Sequence, residues 1–388
     1  MTLHVAALSG SRADFGPLQP LIAGLRDDGR FRLSTIMCAV AAGDEAERQR
    51  ACFADAGLPI DATVTAPAAS SAGSDVPSMA DQASRALGGV AQALREIGPE
   101  LVVLLGDRFE ILAAAVAAHL ERIPIVHLSG GDETLGSLDD AMRHAISRLS
   151  ALHLPTNEES ARRLLGLGIP ENRITIVGST AIDALVAFRP MSRAELADSI
   201  GADLTSPVIV VTYHPATQAK EPPAETFRML ITGIRDAAAQ ATIVVTGSNA
   251  DEGGVAIDVA AHEIATMDPR LMIAPTLGVE RYWSLMHHAD AVVGNSSSAL
   301  IEAPVIGIPV VDVGERQASR LRAASCIHAA AERAAIAAGL AAALTRGRIP
   351  EPSPYGDGGS VPRILDLLAG IEDPSALLQP TPLLPVEP

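Results

Sequence analysis

Short apolar runs alternate along the chain with longer segments of helical period. Runs rich in Val, Ile and Leu occupy 3–8, 32–37, 101–105, 123–128, 174–177, 208–212, 242–246, 291–293 and 310–313. They are continuously apolar instead of strictly alternating, which predicts strands buried on both faces of parallel sheets. Between them, 18–27, 78–97, 111–121, 138–149 and 158–167 place apolar residues at helical spacing. The Ala-rich stretch 329–343 reads as a helix bent near Gly339. The strand signal stops over 189–206, a polar stretch with Pro190, Ser192 and Gly201, and resumes after Pro207. This predicts two α/β domains, residues 1–188 and 206–365, then a tail over 366–388 whose end, 380–388, frays. No internal repeat of fixed short period is present.

Composition narrows the function. Of 388 residues, 48% are hydrophobic and 19% charged, so the chain has ample core. Twenty-nine basic against 46 acidic side chains give a formal net charge of −17, which repels nucleic acid over most of the surface. Aromatic residues are only 3%, too few for a base-stacking platform. A small anion remains possible, because a few local donors outweigh a distant net field. The start of the chain carries no leader pattern, and no apolar run of about 18 residues predicts a membrane span. Cys38, Cys52 and Cys326 are scattered and odd in number. That fits a reducing cytoplasm and argues against a Cys-based zinc site.

Open parallel sheets bind ligands outside the carboxyl ends of their strands. After the first strand comes Ser9-Gly10-Ser11-Arg12-Ala13-Asp14, with no GxGxxG and no P-loop lysine; Arg12 suits a fork to phosphate, or a pair with Asp14. Gly106-Asp107-Arg108-Phe109-Glu110 sets an acid beside an arginine at a strand end, though Asp107 and Glu110 also suit a capping box. The richest loop runs from His127 through Gly130, Gly131, Asp132 and Glu133 to a helix bearing Asp139, Asp140, Arg143 and His144. Several acids beside two histidines suit general acid–base work, and equally an acidic first turn facing a helix dipole. No HExxH or similar metal spacing occurs. In the second half, His214-Pro215 and Gly247-Ser248-Asn249 follow strands. Gly294-Asn295-Ser296-Ser297-Ser298 forms a neutral phosphate cradle, with Glu302 one turn on as an acceptor for ribose hydroxyls. Gly314-Glu315-Arg316-Gln317 closes the series.

In this order, the motifs resemble the hydrolysing UDP-N-acetylglucosamine 2-epimerases, including the branch acting on UDP-N,N′-diacetylbacillosamine. The residues that carry the likeness run from Ser11-Arg12-Ala13-Asp14 through Gly106-Asp107-Arg108-Phe109-Glu110, Gly130-Gly131-Asp132 and Asp139-Asp140-Ala141-Met142-Arg143-His144 to His214-Pro215, Gly294-Asn295-Ser296-Ser297 and Gly314-Glu315-Arg316-Gln317. The resemblance implies a GT-B-like α/β architecture, two Rossmann-like domains with parallel sheets facing a central cleft. It implies a UDP-sugar substrate, a cytoplasmic homodimer or homotetramer, no NAD and no essential metal. By resemblance Arg12, Arg108, His214, Asn249, Ser296, Ser297, Glu302 and Arg316 hold UDP. Asp107, Asp132, Asp139, Arg143, His127, His153 and Asp183 line the sugar side.

Three positions depart from the family pattern. Ser129 stands where relatives carry Glu or His, Asp132 where they carry Glu, and Cys38 where they often carry His. Asp132 or Glu133 is expected to take over proton transfer at C2. Two rivals remain at this stage: a GT-B glycosyltransferase, and a nucleotide-sugar sensor of weak activity. Release of free sugar without an acceptor separates the epimerase from the first, and turnover separates it from the second.

Overall fold

The computed structural model describes residues 2–40, 45–65, 78–134, 138–204, 207–215, 222–247, 253–274 and 277–379, without the side chains of residues 12, 13 and 45. The frayed end expected at 380–388 lies outside the described residues. The chain forms two compact units. Met1–Glu133, Leu138–Ala184 and Tyr355–Pro388 make the first, Thr134–Ser137 and Leu185–Pro354 the second.

The first unit holds β1 (Leu3–Ser9), β2 (Phe31–Ala39), β3 (Ala62–Thr65), β4 (Leu101–Leu105), β5 (Ile125–Leu128) and β6 (Leu152–Leu154). All pair in parallel, in the order β3-β2-β1-β4-β5-β6. The second unit holds β7 (Val208–Thr212), β8 (Thr242–Thr246), β9 (Leu271–Ala274), β10 (Ala291–Gly294), β11 (Val310–Val313) and β12 (Cys326–Ala329). Its order is β12-β11-β10-β7-β8-β9, again all parallel. Counted from its own first strand, each sheet has the Rossmann order 3-2-1-4-5-6. The α/β class and the two Rossmann-like units expected from the sequence are those observed.

The continuous apolar runs follow from this layering. In the first unit Val5, Ala7, Met37, Val103 and Val126 point into one core, while Ala6, Leu8, Ile36, Cys38 and Leu104 point into another. Successive side chains leave a strand on opposite faces, so a sheet covered on both sides needs apolar residues at every position.

The C-terminal boundary differs from the expected 365. From Tyr355 the chain returns to the first unit, where the helix Ser360–Ala369 packs on the helix Arg12–Asp27. Ile364, Leu365 and Leu368 join that unit's core. Gly24 leaves room for them, since a Cβ there would lie 2.8 Å from Val361. Two further readings are corrected. Residues 174–177 are not a strand; Ile174 makes only an isolated bridge with His153. The Ala-rich helix runs unbroken over Arg333–Arg346, with Gly339 seated against Val311 and Ala329 of the sheet. Among the described residues no helix is long and apolar enough to cross a membrane.

Candidate functional site

In each sheet the chain reverses its direction of growth between two strands, β1 and β4 in the first unit, β7 and β10 in the second. A crevice opens there at the carboxyl ends. The loops singled out in the sequence leave from these strands and their neighbours.

In the first unit, Ser11 caps the helix Arg12–Asp27, its hydroxyl accepting from the Asp14 N–H at 3.3 Å and donating to the Asp14 carboxyl at 2.9 Å. Asp14 is buried, and burial raises its carboxyl to about 7, helped by Glu110 and Asp139 and opposed by Ser11 and Arg108. Arg108 is itself the N-cap of the helix Phe109–Leu120 but makes no capping bond with its side chain. Its guanidinium donates instead to both Glu110 oxygens at 3.3 Å. The capping box allowed by the sequence is therefore replaced by an ion pair. Burial still pushes Glu110 above the ordinary carboxylate range. Arg12 opens the first helix; its side chain lies outside the described set.

Arg143 organises the rest. It is buried on the helix Leu138–Leu149 and pairs with the Asp107 carboxylate. It also donates to the Asp132 carbonyl at 2.8 Å and to Asp140 at 3.3 Å. One arginine thus ties the loop after β4 to the loop after β5. Asp132 is further held by Ser160, whose hydroxyl donates to Oδ1 at 2.6 Å, and by Thr156 at 3.3 Å. Asp139, on the same first turn, acts electrostatically on Asp14, Arg108 and Glu110.

Two expected participants have structural bonds. His127 is fully buried, and its Nδ1 and Nε2 bond Ser147 at 3.1 Å and the Gly106 carbonyl at 3.0 Å. Burial pushes it down to about 4, so it is a neutral tie from β5 to the helix Leu138–Leu149 and to the residue after β4, with no nitrogen left for substrate. Asp183 accepts from the N–H groups of Ser360 at 3.1 Å and Val361 at 2.7 Å, capping the C-terminal helix. Cys38, one of the three departures from the family pattern, lies within β2 in an apolar core. Packing also explains the Gly130-Gly131 pair: a Cβ on Gly131, at φ +82°, would lie 2.1 Å from the Ser160 carbonyl oxygen. Ser129 just before it takes φ +58°, a left-handed conformation unusual for a residue with a Cβ. His153 is buried beside β5, paired in register with His127.

In the second unit, β10 closes on β7 so tightly that a Cβ on Gly294 would lie 2.0 Å from the Thr212 carbonyl oxygen. The next residue, Asn295, is 1% exposed; the sequence places it in the motif without a role of its own. Its Oδ1 accepts from the His214 N–H, its Nδ2 donates to the His214 carbonyl, and its own carbonyl accepts from Arg316 at 3.1 Å and Gln317 at 3.0 Å. It joins three loops that carry candidate residues. The short polar side chain directly after a strand-ending glycine was the available signal. Ser296 sits at the N-cap of the helix Ser297–Ile301 but leaves it uncapped, bonding the Ser298 hydroxyl at 2.9 Å. Tyr282 joins the same Ser298 at 2.8 Å. Ser297 opens the helix. Glu302 accepts from Trp283 Nε1 at 2.9 Å, and burial raises its carboxyl to about 7. Asn249 lies outside the described residues. Among the described residues, no three His, Cys, Asp or Glu side chains gather as metal ligands would.

The family model described as UDP-N-acetylglucosamine 2-epimerase matches residues 26–369. A curated UDP-N,N′-diacetylbacillosamine 2-epimerase (hydrolyzing) of Legionella pneumophila is 30% identical over 384 residues, covering 97% of this chain and 98% of that one. A GDP/UDP-N,N′-diacetylbacillosamine 2-epimerase (hydrolyzing) of Campylobacter jejuni is 34% identical over 257 residues, 66% of this chain and 67% of its own. In fold, the chain is similar to the UDP-GlcNAc 2-epimerase of Neisseria meningitidis bound to UDP-GlcNAc, with TM-score 0.80, 18% identity and coverage of 94% and 99%. With a matching family model over most of its length and a full-length relative at 30% identity, the chain belongs to the UDP-N-acetylglucosamine 2-epimerase family of enzymes.

Proposed function

We propose that this enzyme is a hydrolysing 2-epimerase of a UDP-2-acetamido sugar. A base removes the C2 proton while the C1–O bond breaks and UDP leaves, giving a 2-acetamidoglucal. Water then adds at C1, and a proton returns to C2 from the opposite face. From UDP-N-acetylglucosamine the products are N-acetylmannosamine and UDP. Such chemistry needs positioned acid–base groups and firm stabilisation of the leaving diphosphate.

The observation that carries this reading is the arginine-centred network of the first unit. Arg143 fixes Asp107 and the Asp132 loop together at the carboxyl ends of β4 and β5. Ser160 and Thr156 hold one Asp132 oxygen and leave the other to take a proton. This makes Asp132 the preferred base, in place of the side chain that Ser129 lacks, with Asp107 and Asp139 as its acidic partners. In the second unit, the uncapped turn at Ser296 and Ser297, with His214 and Arg316 tied to Asn295, suits phosphate oxygens; Glu302 suits the ribose.

A second substrate has a specific observation behind it. The Legionella and Campylobacter relatives are both named as N,N′-diacetylbacillosamine 2-epimerases, which favours a 6-deoxy sugar with a second acetamido group. Incubation with each nucleotide sugar in deuterated water, followed by NMR, tests both readings. Deuterium at C2 with inverted configuration and free sugar is expected from one of them. UDP release without exchange at C2 would reduce the enzyme to a simple hydrolase.

A further inference from the structure

At the opposite end of the first unit's sheet lies a cavity of about 200 Å³. Residues 123–125, at the start of β5, and Ala151, just before β6, line it. The catalytic candidates leave the carboxyl ends of β4 and β5; this cavity opens at the amino ends. Its wall carries His119, Arg148, His153 and Arg173 and not one Asp or Glu. That is the reverse of the average surface in a chain of net charge −17. Neither Arg148 nor Arg173 forms an ion pair among the described residues. Arg148 donates only to the Leu167 carbonyl, at 3.1 Å.

A second observation points the same way. His153 is 2% exposed, yet its Nδ1 has no hydrogen-bond partner among the described residues. Both Arg148 and Arg173 lie near enough to act on its imidazole. Two guanidiniums without carboxylates, beside an unpartnered buried imidazole nitrogen, are incomplete as a structural network. Leu377 and Leu378, from the turn Pro374–Leu378, add an apolar wall.

We propose that this cavity binds a small organic anion, its carboxylate or phosphate oxygens bridging Arg148 and Arg173 and its apolar part resting on Leu377 and Leu378. Arginine forks match either oxygen pattern. An oxygen seated between them gives His153 Nδ1 the partner it lacks, beside the Ser150 carbonyl that also acts on the ring. The site is not a substrate subsite, because it sits at the wrong end of the sheet for the loops that carry chemistry. The helix Leu138–Leu149 connects the two ends: Asp140 and Arg143 lie on its first turns, and Ser147, which lines the cavity and bonds His127, lies on its last. The inference does not depend on which nucleotide sugar the enzyme takes.

Calorimetric titration of the full chain with citrate and with inorganic phosphate, at constant ionic strength and in saturating UDP, tests it. Saturable binding at one site per chain is expected with one or both probes, and shows which oxygen pattern is preferred. Arg148→Ala/Arg173→Ala should weaken it by roughly tenfold or more, while Ser296→Ala, in the other unit, leaves it intact. If the double variant does not fold, Arg148→Gln and His153→Phe, each checked by thermal melting, replace it. No saturable binding by either probe, or binding unchanged in folded variants, would overturn the proposal.

Discussion

The side-chain amide of Asn295 is locked onto the main chain of His214, accepting from its N–H at 2.8 Å and donating to its carbonyl at 2.9 Å. The pair continues the β7–β10 ladder one step beyond the strands, using a side chain where a backbone would no longer reach. Asn295→Ala leaves two main-chain groups without their partner, at about 1–3 kcal/mol for each that stays buried. It also releases the loop bearing His214. UDP affinity should fall at least tenfold by titration calorimetry, and Asn295→Asp should not rescue it, because its second oxygen would face a carbonyl. Unchanged affinity in Asn295→Ala would mean that His214 needs no such anchor.

Asp132→Asn keeps the size of the side chain and can still accept from Ser160, but it cannot take a proton. Product formation should be lost while UDP binding survives. Retained turnover would remove Asp132 from the chemistry and turn attention to Glu133.

Asp183→Ala should behave in the opposite way. Removing a helix cap costs about 1 kcal/mol, visible in urea unfolding, while turnover of the folded enzyme stays near the parent's. A loss of turnover larger than the loss of folded protein would return Asp183 to the reaction.

Asp14 sets a pH dependence. Its carboxyl titrates at about 7 in the folded state, against about 4 in an unfolded chain. Between these values the folded state holds a proton that the unfolded state has released, so stability falls as pH rises, by up to about 1.4 kcal/mol per pH unit. Below the lower value both states are protonated and the slope vanishes. Asp14→Asn should flatten this interval in unfolding curves taken at pH 5, 6 and 7, gaining on the parent as pH rises. A constant difference between the two proteins would show that Asp14 titrates as an ordinary carboxylate.

Ser129→Gly should stabilise the fold. The left-handed conformation costs a residue with a Cβ about 1–2 kcal/mol, partly offset by the greater freedom of glycine when unfolded. A net gain of roughly 0.5–1 kcal/mol is expected. A loss would reveal that the serine hydroxyl makes up the difference.

The strands show where sequence reading works and where it stops. All eight inner strands announced themselves as apolar runs, since both of their faces are covered. The four that did not, β3, β6, β9 and β12, are the four sheet edges. They are three or four residues long and only partly buried, so no continuous run marks them. The run at 174–177 is apolar for another reason: Val177 packs in the core while Ile176 is 43% exposed, and only Ile174 reaches the edge of β6. The site follows the same logic. Loops at strand ends were legible because their residues are polar in an apolar context, and Arg143 bonds both Asp107 and the Asp132 carbonyl there. What those residues bond to was not legible. His127 and Asp183 look like catalytic groups in one dimension, and only their partners, Ser147, Gly106 and the helix at Ser360, show them to be ties and caps.

Trp283 is the only tryptophan in the chain, and its indole N–H rests on Glu302. Indole emission depends on that hydrogen bond and on the charge state of its acceptor. The enzyme therefore carries a single intrinsic fluorophore wired to one carboxylate of the proposed nucleotide seat. Occupancy of that seat can be followed optically, in real time and without a label, against a background of no other tryptophan.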